Sequence, residues 1–284
     1  MTVTDTTVRV NGVDLFYDVA GSGEPLVLVH GMWTDHSSWQ FVVPQLAEAF
    51  RVLTYDRRGY SRSERPPAQG SRRTDEDDLA ALIEAFDLAP AHLVGNSHGA
   101  SISLGLASRR PDLVRSVVAH EPSLLRTASG NAQLRPMMAQ TQATLEAVAC
   151  QLRAGDIEAG VAKFIEEVAL GAGMWEQIPV ESRRMFMHNA PTFLDSMGDP
   201  CWADLDLETL TRCGVPVLLT DGRQSPPWLP AVVTEIARVV AGVGRHTFAG
   251  SGHAPHLTEP DEHVRTICEF ARAYAGSPSV LVGA

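Results

Sequence analysis

The chain of 284 residues is short of several things, and each shortage closes a class of function. Basic residues number 23 against 34 acidic ones, for a net charge of -11, and a surface of that sign repels phosphate, so no nucleic-acid partner is expected. Lysine is nearly absent: Lys163 is the only one, which leaves a single candidate for Schiff-base chemistry. The four cysteines, Cys150, Cys201, Cys213 and Cys268, show no CxxC spacing, so neither a zinc site nor a disulfide framework is suggested. They read as reduced packing residues, and no metal or other cofactor is predicted. No stretch approaches the roughly 18 uncharged apolar residues of a membrane helix, and the opening MTVTDTTVRV lacks the basic and apolar regions of a signal peptide. A cytoplasmic protein without a membrane partner is the expectation. With 44% hydrophobic residues the chain can bury a large core, which excludes disorder as its main state.

Asn11-Gly12, between Val8-Arg9-Val10 and Val13-Asp14-Leu15-Phe16, suits the positive φ angles of a two-residue turn and predicts a hairpin. Pro25-Leu26-Val27-Leu28-Val29 is a continuous apolar run, the pattern of a strand buried on both faces. Similar runs recur at 51–55, 92–94, 114–119 and 215–219, with helical segments between most of them, and this alternation implies a mainly parallel sheet covered on both sides. One helix is predicted to start at Thr74, with Thr74 as cap, the following Asp75-Glu76-Asp77 solvated near the positive end of the dipole, and Leu79, Leu82, Ile83 and Phe86 on its apolar face. Between residues 123 and 202 the strand pattern stops. Leu134, Met137, Met138, Thr141, Leu145, Val148 and Leu152 follow helical steps up to Gly155, and Asp156 is placed to cap a second helix carrying Ile157, Val161, Phe164, Ile165 and Val168. The predicted organisation is therefore an α/β core of residues 1–122 and 203–284 with an inserted helical cap at 123–202.

Gly95-Asn96-Ser97-His98-Gly99 follows the strand at 92–94 and precedes a helical stretch at 100–110. This is G-x-S-x-G in the context that gives it meaning: the strand-to-helix turn is so tight that side chains two before and two after the serine would collide. The serine is pushed out at the helix N-terminus, where the dipole and free N–H groups favour negative charge. On these residues the chain resembles the α/β-hydrolase superfamily, and the resemblance runs nearly its whole length. His30-Gly31-Met32-Trp33, after the strand ending at Val29, is similar to the family's HGx loop; carried over, the N–H groups of Met32 and His98 form the oxyanion hole. Tyr55-Asp56-Arg57-Arg58-Gly59-Tyr60-Ser61-Arg62-Ser63 is similar to the family's D-x-R-G-x-G-x-S turn, departing from it at Tyr60-Ser61, and reads as structural.

Triads on this fold run serine, acid, histidine. Gly250-Ser251-Gly252-His253 after the strand-like 245–248 resembles the loop in which the family places its base, so His253 is favoured over the neighbouring His246 and His256. His30 is expected to order its loop, and the ring of His98 is left open between touching substrate and packing. The acid departs from the common pattern. Most relatives have G-x-x-D after the strand that follows the lid, and here Gly222-Arg223-Gln224-Ser225 puts Ser225 in that place. Asp221 at the strand end is one candidate. Glu121, at the tip of the strand after the nucleophile's helix, is the preferred one, as in certain haloalkane dehalogenases and zearalenone-type lactonases. A carboxylate there can hold His253 in the tautomer that removes the serine proton.

The insertion is rich in methionine and aromatic residues, suited to an adaptable apolar cavity, with Trp33, Met138, Trp175 and Phe186 as the expected substrate-binding residues. The resemblance implies a serine hydrolase that cleaves a carboxylic ester or lactone of an apolar small molecule through an acyl-enzyme. An aspartate nucleophile, which epoxide hydrolases and dehalogenases of the family use, is absent. A carbon–carbon bond hydrolase and an acyl-transfer or cyclisation enzyme remain alternatives on the same triad, a non-turnover ligand receptor is the alternative of another class, and a homodimer is compatible with all of them.

Overall fold

The computed structural model describes residues 6–67 and 70–276. Its centre is an eight-stranded sheet made of β1 (Thr7–Val10), β2 (Val13–Ala20), β3 (Glu24–Val29), β4 (Phe50–Tyr55), β5 (Ala91–Asn96), β6 (Val114–His120), β7 (Val217–Gly222) and β8 (Gly244–Phe248), in the order β1-β2-β4-β3-β5-β6-β7-β8. The first two strands form the expected hairpin, with Asn11 at φ 46 and Gly12 at φ 80, and β2 also pairs antiparallel with β4. From β4 through β8 every neighbouring pair is parallel. Alternate residues of the central strands feed two separate cores. Val27, Val29, Val117, Ala119, Val217 and Leu219 face one; Leu26, Leu28, Val118 and Leu218 face the other. A slip of one residue in any of these strands would exchange its two faces, so burial on both sides fixes the register.

The second face is covered by α1 (Val43–Leu46) and α12 (Pro260–Ala273) through Leu46, Val264 and Ile267. The first is covered by α2 (Arg72–Ala85), α3 (His98–Arg109) and α10 (Trp228–Val239), through side chains such as Leu82, Ile102 and Val232. Between β6 and β7 lie only helices: α4 (Leu125–Ser129), α5 (Arg135–Ala154), α6 (Ile157–Phe164), α7 (Met174–Gln177), α8 (Val180–Gly198) and α9 (Leu207–Arg212). Their buried side chains, among them Met138, Leu145, Val148, Phe164 and Phe193, join the first core without a break. The short α11 (Pro255–Thr258) follows β8. No helix among the described residues is long and apolar enough to cross a membrane.

Three local expectations are corrected. α2 starts at Arg72, and its cap is Ser71, whose side chain accepts from the Thr74 N–H; Thr74 lies inside the first turn. Of its acidic run Asp77 alone is exposed, as a solvated start would have it. Asp75, Glu76 and Asp78 are buried and meet arginines: Arg57 Nη1 lies 2.7 Å from Asp75, Arg58 grips Asp78 through Nε and Nη2 at 2.5 and 2.6 Å, and Arg109 and Arg72 both reach Glu76. Helical spacing reports the apolar face, whereas these carboxylates are drawn inside by guanidinium groups from the turn after β4 and from α3, which spacing cannot foresee. Of the four cysteines, Cys213 alone is buried, Cys268 is half-buried, and Cys150 and Cys201 are exposed, so two of them do no packing.

Candidate active site

The turn at Ser97 is set by contacts that only glycine permits. A Cβ on Gly95 would lie 2.5 Å from the Ala100 Cα, and one on Gly99 would lie 2.0 Å from the Val29 carbonyl oxygen. Ser97 itself has φ 55 and ψ -118, a conformation that costs about 1–3 kcal/mol and persists because the flanking strand and helix leave no other path. Its N–H is anchored to the His120 carbonyl at 2.9 Å, and α3 leaves directly from His98. The Ser97 Oγ makes no hydrogen bond among the described residues, and the His253 ring bonds only Glu121.

His253 sits in the loop after β8 and donates from Nδ1 to Glu121 Oε2 over 2.6 Å. Glu121 has no exposure at all, and its other carboxylate oxygen accepts the Gly222 N–H at 2.9 Å. A carboxylate can only accept, so against a carboxylate at 121 His253 carries its proton on Nδ1 and leaves Nε2 as the free acceptor. The loop is held from two further sides. Asn96 Nδ2 donates to the His253 carbonyl at 2.9 Å, and a Cβ on Gly222 would meet the Gly252 carbonyl at 2.5 Å, so β7 and the histidine loop touch backbone to backbone. Glu121 has φ 44, a left-handed conformation that turns the chain off the end of β6. Asp221, the rival, is engaged elsewhere, with its Oδ2 2.9 Å from Arg245 Nη2.

The HGx loop is clamped by the turn after β4. His30 donates from Nδ1 to the Gly31 carbonyl (2.9 Å) and accepts the Arg57 N–H at Nε2 (3.0 Å), while Arg57 Nη2 also donates to the Gly31 carbonyl at 3.0 Å. Burial, with the charge of Arg57, pushes His30 down to about 3, so it is a neutral, fixed spacer. The clamp holds the peptide that leads into Met32, and a Cβ on Gly31 would be 3.3 Å from the Ser97 Cβ, so this loop lies against the serine. The Met32 N–H has no partner among the described residues, and His98 opens α3, where an N–H has no acceptor within the helix. The ring of His98 packs: it is buried, and its Nδ1 lies 3.3 Å from Ser123 Oγ.

Ser97 and His253 open into one cavity of about 80 Å³, also lined by Met32, Trp33, Phe164, Ile165, Leu170 and Phe186. Trp33 stacks on Phe193 with ring centroids 4.8 Å apart, joining the HGx loop to α8. Met138 and Trp175 do not line this cavity. Met138 is buried in the core, and Trp175 is buried with the Arg183 guanidinium 5.4 Å from its ring centroid. Two features went unread in the sequence. The predicted helix bearing Phe164 and Ile165 breaks into a π-helical turn at Ile165–Ala169, the kind of irregularity frequent at functional sites, and Trp228 Nε1 donates to the Val168 carbonyl within it at 2.9 Å. Asn189, fully buried in α8, accepts the Ser61 N–H at 2.8 Å and donates to the Trp33 carbonyl at 3.0 Å. Its signal was an amide among the apolar residues of a long helix.

Potential metal-ligand atoms of His120, Glu121 and His253 lie within 4.8 Å of one another, as do those of Asp35, His36 and Asp56. The carboxylates of both groups are already engaged in hydrogen bonds, while in the first group His120 Nε2 is buried without a partner. Glu121 takes two N–H donors, Asp56 takes the His36 ring and the Arg62 N–H, and Asp35 takes the hydroxyls of Ser37 and Ser61.

The sequence profile of a family described as "Alpha/beta hydrolase family" matches residues 26–266. The uncharacterized hydrolase YraK of Bacillus subtilis (strain 168) is 40% identical over 133 residues, 46% of this chain and 49% of that protein, so the match spans about half the relative's length. The pimeloyl-[acyl-carrier protein] methyl ester esterase of Vibrio atlanticus (strain LGP32) is 27% identical over 91% of this chain and 98% of its own. Among solved structures, the enol-lactonase of Burkholderia xenovorans LB400 superposes with a TM-score of 0.77 at 24% identity, over 94% of this chain and all of that one, a likeness of fold.

Proposed function

As the chain belongs to the α/β-hydrolase family, we propose that it is a serine hydrolase of carboxylic esters or lactones, with Ser97 as nucleophile, His253 as base and Glu121 as the acid that orients it. The observation that carries this reading is the 2.6 Å contact from His253 Nδ1 to a wholly buried Glu121, with His253 sharing a cavity with a strained, unpartnered Ser97. His253 Nε2 takes the Ser97 proton as Oγ attacks the ester carbonyl. The Met32 and His98 N–H groups hold the resulting oxyanion, a contribution worth about 10²–10³ in kcat for each donor. Collapse expels the alcohol with the proton from His253 and leaves an acyl-Ser97, which water then hydrolyses by the same steps in reverse. Glu121 keeps its charge throughout and stabilises the imidazolium.

We read the inserted helices as a cap over this site. Phe164, Ile165, Leu170 and Phe186, all from the insertion, line the cavity, and Asn189 ties α8 to the HGx loop. The test is Ser97→Ala, which the tight turn accepts. Turnover of aryl esters should fall by about 10⁴–10⁶ in kcat, and a serine-directed fluorophosphonate that labels the wild-type chain at Ser97 should label the variant nowhere. Retention of more than about a tenth of the activity would remove the covalent mechanism.

A further inference from the structure

The size and lining of the cavity go further than the reaction class. Ligand pockets usually enclose about 300–1,000 Å³. This one, partly open to solvent, offers about 80 Å³, while a dry cavity of about 150 Å³ is known to take a benzene ring. The space beside Ser97 therefore admits a group of roughly three or four heavy atoms. No arginine or lysine lines it among the described residues. The one lining histidine besides His253 is His256, which is buried, packed at a tilt against Trp39 with ring centroids 4.6 Å apart and held well below its ordinary pKa by burial, so it brings no positive charge.

Chemistry decides which arm of an ester lies there. The leaving alcohol receives its proton from His253 and has to depart after the first step, so it is the arm that needs a way out past His253, whose side chain is 10% exposed. The acyl arm stays bonded to Ser97 through the second step, and Phe164, Ile165, Leu170 and Phe186 are the apolar walls the cavity offers it. A carboxylate on that arm would be buried without a partner, at a cost that no nearby cation offsets.

On the reading of Ser97 as nucleophile, we infer that the enzyme selects short, uncharged acyl groups of acetyl to propionyl size, or a small unsubstituted lactone, while tolerating larger alcohol arms. Two ester series separate the arms: p-nitrophenyl esters from acetate to octanoate, and acetates of alcohols from methanol to octanol. kcat/KM should fall by about tenfold or more between acetate and hexanoate and change less than that along the alcohol series, since methylenes without room are rejected at about this level. A hemisuccinate ester should be worse than the butyrate by about 10² or more, its charge being buried unpaired. Phe186→Ala and Leu170→Ala, which enlarge the acyl side without touching the triad, should move the preferred chain length upward.

Octanoate or hemisuccinate turned over as well as acetate would overturn the inference, as would an acyl preference that neither variant moves. Fluorophosphonate labelling separates the two levels. A chain labelled at Ser97 with the opposite chain-length order loses only the size assignment. A chain neither labelled nor active on any ester loses the hydrolase reading and this inference with it.

Discussion

Glu121 and Asp221 stand at the ends of adjacent parallel strands, both buried, both acidic, and both within reach of a catalytic role by chain position alone. They differ in what meets them. Glu121, one residue past β6, receives His253 Nδ1–H and the Gly222 N–H; Asp221, inside β7, receives Arg245. The period of two along a strand explains the split. On β7 the Thr220 side chain faces His120, at 3.0 Å, on the side where Phe248 and His253 pack, so Asp221 projects from the other face, with Leu219 and Val217. Glu121 escapes that constraint through its left-handed φ, which turns it across the strand end. What each carboxylate binds follows from the face of the sheet it leaves and from the donors that face carries.

The comparison breaks most sharply at Glu121→Gln. The amide keeps the shape but can hold the wrong imidazole tautomer, and a kcat loss of about 10⁴ is expected with circular dichroism unchanged. If Glu121→Gln is nearly normal while Asp221→Asn is crippled, the roles of the two acids are reversed. Adding Ser225→Asp to Glu121→Gln should recover roughly 10² of that loss, partial orientation of the base being worth less than the native pair. Ser225 Oγ is buried without a partner, and its backbone N–H lies beside Gly252 in the histidine loop, so a carboxylate at 225 starts close to His253. No recovery in a folded double variant would mean that the β7 end cannot serve the histidine even when given an acid. Gly222→Ala tests the contact between the two sites. Its Cβ meets the Gly252 carbonyl, so thermal denaturation should show a loss of about 1–3 kcal/mol, with activity falling as the loop moves off Glu121. An unchanged Tm would show that the loop yields freely.

The smallest effect belongs to Asp221→Asn. Arg245 keeps 43% of its side chain exposed, so the pair is screened, and its loss should cost about 1 kcal/mol of stability or less. Activity should stay within about tenfold, the size of one weakened hydrogen bond. A pH–rate profile of this variant that matches the wild type would place Asp221 outside the proton-transfer path.

The chemistry-bearing pieces were legible because each is local and overdetermined. G-x-S-x-G at Ser97 announces a turn that Gly95 and Gly99 alone allow, and the short, mostly apolar segments at 25–29 and 114–119 read as strands covered on both faces. The cap of α2 was misplaced by three residues because serine and threonine both suit the position and the winner, Ser71, is chosen by where the preceding chain arrives. The buried acids of α2 were unreadable for a stronger reason: Arg57, Arg58 and Arg109 come from other elements. Met138 and Trp175 have the composition of a binding wall but point into packing, and composition has no direction.

The amino-acid sequence alone determined the alternation of strand and helix, the tight turn that presents Ser97, and the loop that carries His253, since glycine placement and hydrophobic period act within a few residues of chain. Only the tertiary structure decided that Glu121 meets His253 across 132 residues, that Asn189 locks α8 to the HGx loop, and that the space left beside Ser97 is small and uncharged. Those outcomes depend on the sheet register, the turn of the backbone past β6 and the way the inserted helices settle on the core, and each is a sum over contacts between segments far apart in the chain.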